Sequence, residues 1–169
     1  MKEVDRIIRV DHAGEHGAIQ IYRAQILISR ILYRDIVHTL ENMLRHEQEH
    51  FRRFDQLLKS RRVRHCYALA LWAMGGFVLG VFTAFLGRNA IWACTNSIET
   101  TVLHHLDWQL AFLRNKDRDA YDAVLSIKSD EEDHRQLGQA NGMESIVYGP
   151  IFWVVRKSTG CAIWLSTKL

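Results

Sequence analysis

Six side chains able to hold metal recur in a pattern along this chain. Glu47 and His50, in "RHEQEHFRRF", stand three residues apart, as do Glu131 and His134 in "SDEEDHRQLG". On a helix that spacing puts both side chains on one face, where they can grip one ion. A single such pair is commonplace on exposed helices. Here each is preceded by a glutamate in a less polar stretch: Glu15 in "DHAGEHGAIQIY" and Glu99 in "ACTNSIETTVLHH". The separations 47 − 15 and 131 − 99 are both 32, so the unit of Glu followed by Glu-x-x-His occurs twice. Two helix hairpins related by an approximate two-fold would bring the ligands of four helices to one level. Four carboxylates and two imidazoles are hard oxygen and borderline nitrogen donors, suited to a pair of iron or manganese ions and poor for a thiolate-preferring metal. Brought together without cations, four carboxylates would repel one another and be costly to bury.

Further polar residues flank these six. Glu49 and His46 either support a ligand imidazole or lie on the surface, and one of His12 and His16 is expected to support Glu15. Arg45, Gln48, Arg52 and Arg53 are expected to face solvent or lipid headgroups. His104 and His105 are candidates for passing protons or touching a substrate, with a structural hydrogen bond as the alternative. Gly14 and Gly17 would each cost a helix about 1 kcal/mol relative to alanine, which points to close approach of a helix or substrate there.

The elements that must position these residues are helices. The chain has 169 residues, 48% of them hydrophobic and 24% charged, with one proline, Pro150. So few breakers favour long helices over many strands. Apolar periodicity predicts helices over about 3 to 31, 34 to 60, 89 to 115 and 118 to 140, and a last one from about 146 that starts or kinks near Pro150. The expected architecture is all-α: one domain over residues 1–169, with the ligands on a four-helix bundle and two additional apolar helical segments. A Glu from each of two helices plus Glu-x-x-His from each of the other two is the ligand pattern of ferritin-like di-iron carboxylate bundles.

Residues 66–87, "CYALALWAMGGFVLGVFTAFLG", contain no charged side chain and are long enough to cross a bilayer. A single crossing would leave Glu15, Glu47 and His50 on one side and Glu99, Glu131 and His134 on the other, and the site could not form. The segment must therefore lie in the membrane interface, enter and return, or pack as a core helix or oligomer contact. Net charge is +3, with basic residues gathered at Arg52, Arg53, Lys59, Arg61, Arg62 and Arg64. Beside an apolar segment carrying Trp72 and phenylalanines, that patch points to an anionic lipid surface rather than nucleic acid. Cys66, Cys94 and Cys161 are odd in number and set among apolar residues, which fits reduced thiols. The start, "MKEVDRIIRV", is charged and lacks the apolar run of a signal peptide.

The stretches "DRIIRVDHAGEHGA", "EQEHFRRF", "ACTNSIETTVLHH", "DEEDHRQLG" and "GCAIWLSTKL" resemble the demethoxyubiquinone monooxygenases of ubiquinone biosynthesis, from about residue 5 to the C-terminus. The resemblance implies that Glu15, Glu47, Glu99, Glu131, His50 and His134 ligate two iron ions. It implies O2-dependent hydroxylation of a 2-polyprenyl-3-methyl-6-methoxy-1,4-benzoquinol, with NADH as electron donor. Membrane lipid, other ubiquinone-biosynthesis proteins and further copies of the chain are the partners it implies. The implied location is the inner face of a bacterial plasma membrane or the matrix face of the mitochondrial inner membrane. Three positions depart from the family pattern: His16 and Leu106 where tyrosine is common, and Thr100 where many members carry a second glutamate. Two other functions share parts of the pattern. A ferroxidase or peroxide scavenger would use the same ligands without needing the apolar segment, and a membrane-surface quinone-binding scaffold would need the metal only for stability.

Overall fold

The computed structural model describes residues 2–142 and 149–168, apart from the side chain of residue 151. Six helices make up the described chain: α1 (Glu3–Leu32), α2 (Val37–Ser60), α3 (Leu69–Leu86), α4 (Arg88–Leu113), α5 (Arg118–Asn141) and α6 (Gly149–Ser166). A short 3-10 turn, Arg34–Ile36, links α1 to α2. No strand occurs among the described residues. These bounds lie within a few residues of those read from periodicity. Pro150 sits in the first turn of α6, where its missing N–H costs nothing. The expected residues 146–148 of that helix lie outside the described ones.

The helices form because each carries an apolar stripe, and their ends are fixed by specific groups. The Asp117 carboxylate accepts from the Ala120 N–H (3.0 Å) and so caps α5. The same carboxylate takes two hydrogen bonds from the Arg61 guanidinium, at 2.9 and 2.6 Å, tying the end of α2 to the start of α5. Gly87, at φ +116°, makes the sharp connection from α3 to α4 in a conformation that L side chains rarely adopt.

Two apolar clusters sandwich a polar layer. One is built from Ile7 and Ile8 of α1, Phe54 and Leu58 of α2, Leu106 and Leu113 of α4, and Val124 and Ile127 of α5. The other holds Tyr22 and Ile26, Leu40 and Met43, and Ile91 and Trp92. On α1, α2 and α4 the predicted ligands fall between these two sets in sequence, so the clusters close the layer from both ends. Burial of these side chains, each worth about 1.5–3 kcal/mol, offsets the cost of holding charge inside.

α3 packs along α1 and contributes no predicted ligand. Its buried residues are Gly76, Gly80, Thr83 and Ala84, which form a narrow small-residue face. A Cβ on Gly76 would sit 2.4 Å from the Gly17 carbonyl oxygen, and one on Gly80 would sit 2.4 Å from that of Ile21. The glycines thus bring the two backbones close together. The opposite face exposes Leu71, Met74, Phe77, Val78, Phe82 and Phe85, and only four of the helix's 18 residues are buried. α3 is therefore not a core helix of this chain. α6 packs on α4 and exposes Trp153, Val154 and Trp164.

Of the basic patch, Lys59 pairs with Asp55 at 2.6 Å and Arg61 is held by Asp117. Arg52, Arg53, Arg62 and Arg64 are exposed. Cys66 and Cys94 are buried free thiols, whereas Cys161 is exposed. Burial pushes the Cys94 thiol up to about 12.

Candidate metal centre

Glu15 on α1, Glu47 and His50 on α2, Glu99 on α4, and Glu131 and His134 on α5 are all buried. They fall into two overlapping sets of donors. Glu15, Glu47, His50 and Glu131 offer atoms within 4.8 Å of one another, and so do Glu47, Glu99, Glu131 and His134. Donors about 2.1 Å from a shared ion lie at most about 4.2 Å apart, so sets this compact need close only slightly to hold one. Glu47 and Glu131 belong to both sets, while Glu15 and Glu99 each belong to one. The internal repeat in the sequence thus becomes a two-fold arrangement of side chains.

The imidazoles point their Nδ1 atoms into the cluster. His50 Nδ1 lies 3.0 Å from Glu131 Oε1 and 3.6 Å from Glu15 Oε2. His134 Nδ1 lies 3.2 Å from Glu47 Oε1. Despite these distances, His50 Nδ1, His134 Nδ1 and Glu47 Oε1 are buried without a hydrogen-bond partner. They are near each other but not aligned on each other, and buried polar atoms are rarely left so. Lone pairs converging on a common point fit a cation, and the donor types fit iron or manganese.

Proton affinities carry the same message. Burial pushes the Glu15 and Glu99 carboxyls well above the usual range, with Glu47 and Glu131 adding to both shifts. Burial would also raise Glu131, but the neighbouring His134 and His50 imidazoles and the Glu99 carboxyl hold it well below its ordinary value. Burial alone would lower His50, yet Glu131 and Glu15 push it up to about 12; His134 is raised to about 9 against the same burial by Glu131 and Glu47. Protons on the imidazoles and on two carboxyls balance the negative charge, a task two divalent cations would also perform.

Outer groups orient the ligands. The His50 Nε2–H donates to Asp130 Oδ2 (3.0 Å), which leaves Nδ1 free to face inward. His134 Nε2 lies 3.1 Å from Nδ1 of His46, and the two rings stack at 5.3 Å. The Tyr22 hydroxyl donates to Glu99 Oε1 at 3.1 Å. His46 was one of two readings from sequence; Glu49, its companion there, is exposed. Asp130 and Tyr22 were not read as site residues. Tyr22 had a legible signal, since it lies seven residues after Glu15 and so two turns along the same face. Asp130 had none, being next to a ligand and pointed toward a different helix.

The expectation for His12 and His16 needs correcting. His12 is buried, stacked on Phe51 at 4.3 Å and 3.7 Å from Asp55 Oδ1, and burial lowers it to about 4. His16 tilts against Phe51 at 5.3 Å. Both rings pack on the flank of α2, and neither supports Glu15. At Gly14 the helix arm of the expectation fails, because a Cβ there would meet nothing within 4 Å. Thr100 is exposed and donates to its own helix at the Asn96 carbonyl, and Leu106 lies in the apolar core.

His104 and His105 stand apart from the cluster. They line a groove of about 420 Å³ between α1, α4 and α6, walled by Ile7, Val10, Trp108, Ile163 and Trp164. At its inner wall the Gln109 Nε2–H donates to Asp11 Oδ1 at 2.7 Å. The pairs Asp11–Gln109 and Tyr22–Glu99 show α1 and α4 antiparallel. The groove therefore adjoins the Glu15 end of the cluster, with Asp11 one helical turn before Glu15.

An all-helical bundle with four carboxylates and two imidazoles buried between apolar layers defines the class: a helical carboxylate–histidine protein suited to a pair of metal ions. Residues 2–166 match the family model described as ubiquinone biosynthesis protein COQ7, and the chain belongs to that family. It is 33% identical to the human NADPH-dependent 3-demethoxyubiquinone 3-hydroxylase, mitochondrial, over 98% of this chain and 78% of that protein. It is 34% identical to the 3-demethoxyubiquinol 3-hydroxylase of Rhodospirillum rubrum, with the same coverage. The 5-demethoxyubiquinone hydroxylase of Saccharomyces cerevisiae is 37% identical over 67% of this chain and 48% of its own length.

Proposed function

We propose that this chain is an O2-dependent hydroxylase of a demethoxyubiquinol ring, acting through two iron ions in a ferritin-like bundle at a membrane surface. The observation that carries the reading is the pair of donor sets sharing Glu47 and Glu131, placed beside an aromatic-walled groove. Glu15 with His50, and Glu99 with His134, would each serve one ion, and Glu47 and Glu131 would serve both. When bound, the ions would supply O2 activation, with reducing equivalents from NADH or from the NADPH that the human relative's name carries.

The protein's own part is holding and excluding. Asp130 fixes the tautomer and tilt of His50, and Tyr22 holds one oxygen of Glu99. The two apolar clusters keep water from the layer. Trp108, Trp164 and Ile163 provide flat apolar walls for a quinol ring. Burial, with His104 beside it, lowers His105, so its imidazole is neutral at pH 7 and can accept a hydrogen bond or proton from a ring hydroxyl. The exposed face of α3 would rest on the bilayer that supplies a polyprenyl substrate.

The test is a single turnover of iron-loaded, chemically reduced protein with a short-chain demethoxyquinol under oxygen-18 gas. Product carrying one labelled oxygen is expected. Consumption of O2 with the ring returned unlabelled would overturn the reading in favour of iron oxidation or peroxide chemistry.

A further inference from the structure

Resting on the reading of the groove as the ring site, we infer that Gln109 is a specificity residue that distinguishes a reduced quinol from its oxidised quinone. Its Oε1 accepts a hydrogen bond from a ring hydroxyl, and Asp11 holds the amide that way round.

The geometry lies in two residues on facing helices. Gln109 of α4 lines the groove yet is only 3% exposed. Its Nε2–H donates to Asp11 Oδ1, while its Oε1 is buried with no donor to satisfy it. An amide fits its site either way round, so neighbours decide its orientation. Reversing this one would bring its carbonyl oxygen 2.7 Å from the carboxylate oxygen of Asp11, acceptor against acceptor. Asp11 therefore commits the donor half of Gln109 to itself and leaves the acceptor half for a ligand.

Among the other polar groups at the groove, His104 and His105 present imidazoles to the same space. Glu3 and Arg6 pair with each other, and the Thr167 hydroxyl donates to the Trp164 carbonyl. Gln109 lines the groove, and its Oε1 is closed to bulk water and without a partner, so a ring that reaches it must first part the side chains that cover it. A quinol hydroxyl satisfies it. A quinone carbonyl cannot, and would leave two acceptors facing each other where water is excluded. A site built to hydrogen-bond a hydroxyl discriminates strongly against the analogue lacking it, because its own polar group is then left unpaired.

The experiment measures equilibrium binding by calorimetry without oxygen, using the full chain with and without manganese(II). The ligands are a short-chain demethoxyquinol, its quinone and its dimethyl ether, which keeps the ring but donates no hydrogen bond. Burial raises the Asp11 carboxyl to about 7, so pH 8 keeps it ionised. Wild-type protein is expected to bind the quinol at least about tenfold tighter than the other two. Gln109→Leu should weaken the quinol to the level of the ether and leave the ether unchanged. Asp11→Asn frees the amide to turn, so the quinol should weaken while the quinone strengthens. Equal wild-type affinities for the three ligands would overturn the inference without any variant, as would a preference that survives Gln109→Leu. If wild type bound none of them, the groove would not be the ring site and the proposed function itself would be at fault.

Discussion

His134 Nδ1 and Glu47 Oε1 lie 3.2 Å apart on different helices, yet neither atom makes a hydrogen bond. A buried acid beside an imidazole that it does not engage points to a third party between them. Manganese(II) at one hundred times its Kd should stabilise the protein by about 2.7 kcal/mol. For a chain of this size that is a melting shift of roughly 5 to 10 °C. Glu47→Ala should melt no lower than wild type without metal, because it removes a buried carboxylate from a crowded set, and it should lose the metal-induced shift. A shift that persisted in Glu47→Ala would exclude Glu47 from the site.

The same cluster sets a pH dependence. Without metal, His50 and His134 have proton affinities raised to about 12 and about 9, so their contribution to stability is fully present below the unfolded imidazole value of about 6.5 and is lost as pH rises through the folded ones. The raised acids Glu15 and Glu99 act in the same direction, destabilising above their ordinary range. Glu131, held low, works oppositely: its contribution is present above the ordinary carboxylate range and is lost as pH falls through its folded value. Denaturant unfolding of the metal-free protein should therefore show stability falling between pH 7 and 9. Metal must displace the imidazole and carboxyl protons, so calorimetry at pH 7 in two buffers of different ionisation enthalpy should reveal net proton release. Heats independent of buffer would show that the imidazoles are already neutral.

Much of this site was legible because helical periodicity is rigid. Two repeats of a Glu followed 32 positions later by Glu-x-x-His fix four carboxylates at one level once the segments are helices. The helices were legible because one proline interrupts the whole chain. The groups that orient the ligands were not, since their partners come from other helices: Asp130 reaches His50 across 80 residues, and Tyr22 reaches Glu99 across 77. His16 misled because adjacency to Glu15 in sequence is about a 100° turn on a helix, whereas His12, three residues before Glu15 and only about 60° round, has the spacing of a neighbour yet stacks on Phe51. The place of α3 rests on the contact of Gly76 and Gly80 with α1, and a run of 22 uncharged residues fits a core helix equally well.

The glycines separate into two kinds with opposite predicted effects. Gly80→Ala would place a Cβ 2.4 Å from the Ile21 carbonyl and 2.8 Å from the Ala24 Cβ, so α1 and α3 must part. A loss of about 1–3 kcal/mol is expected in chemical denaturation. Gly14→Ala meets open space in mid-helix and should gain up to about 1 kcal/mol. If Gly14→Ala raised stability but cut turnover, the open space beside Glu15 would be occupied by substrate rather than solvent. If Gly80→Ala were neutral, the close approach of the two backbones would be wrong.

α3 turns an apolar face away from the other helices. Phe77, Val78, Phe82 and Phe85 are exposed along one helix that carries no charged residue. Burying one such side chain is worth about 1.5–3 kcal/mol, so a few inserted into lipid give stable partitioning. Wild-type protein should co-float with anionic vesicles. Phe82→Glu with Phe85→Glu should reduce the bound fraction by more than about tenfold, since each change removes a buried phenyl and adds a charge that lipid rejects. Those residues lie on the far side of α3 from the Gly76 and Gly80 contact, so turnover on a short-chain, water-soluble quinol should be unaffected while turnover on a long-chain quinol in vesicles should fall. If the double variant instead floated normally but became monomeric where wild type is larger, α3 would be covered by a second copy of the chain rather than by a bilayer.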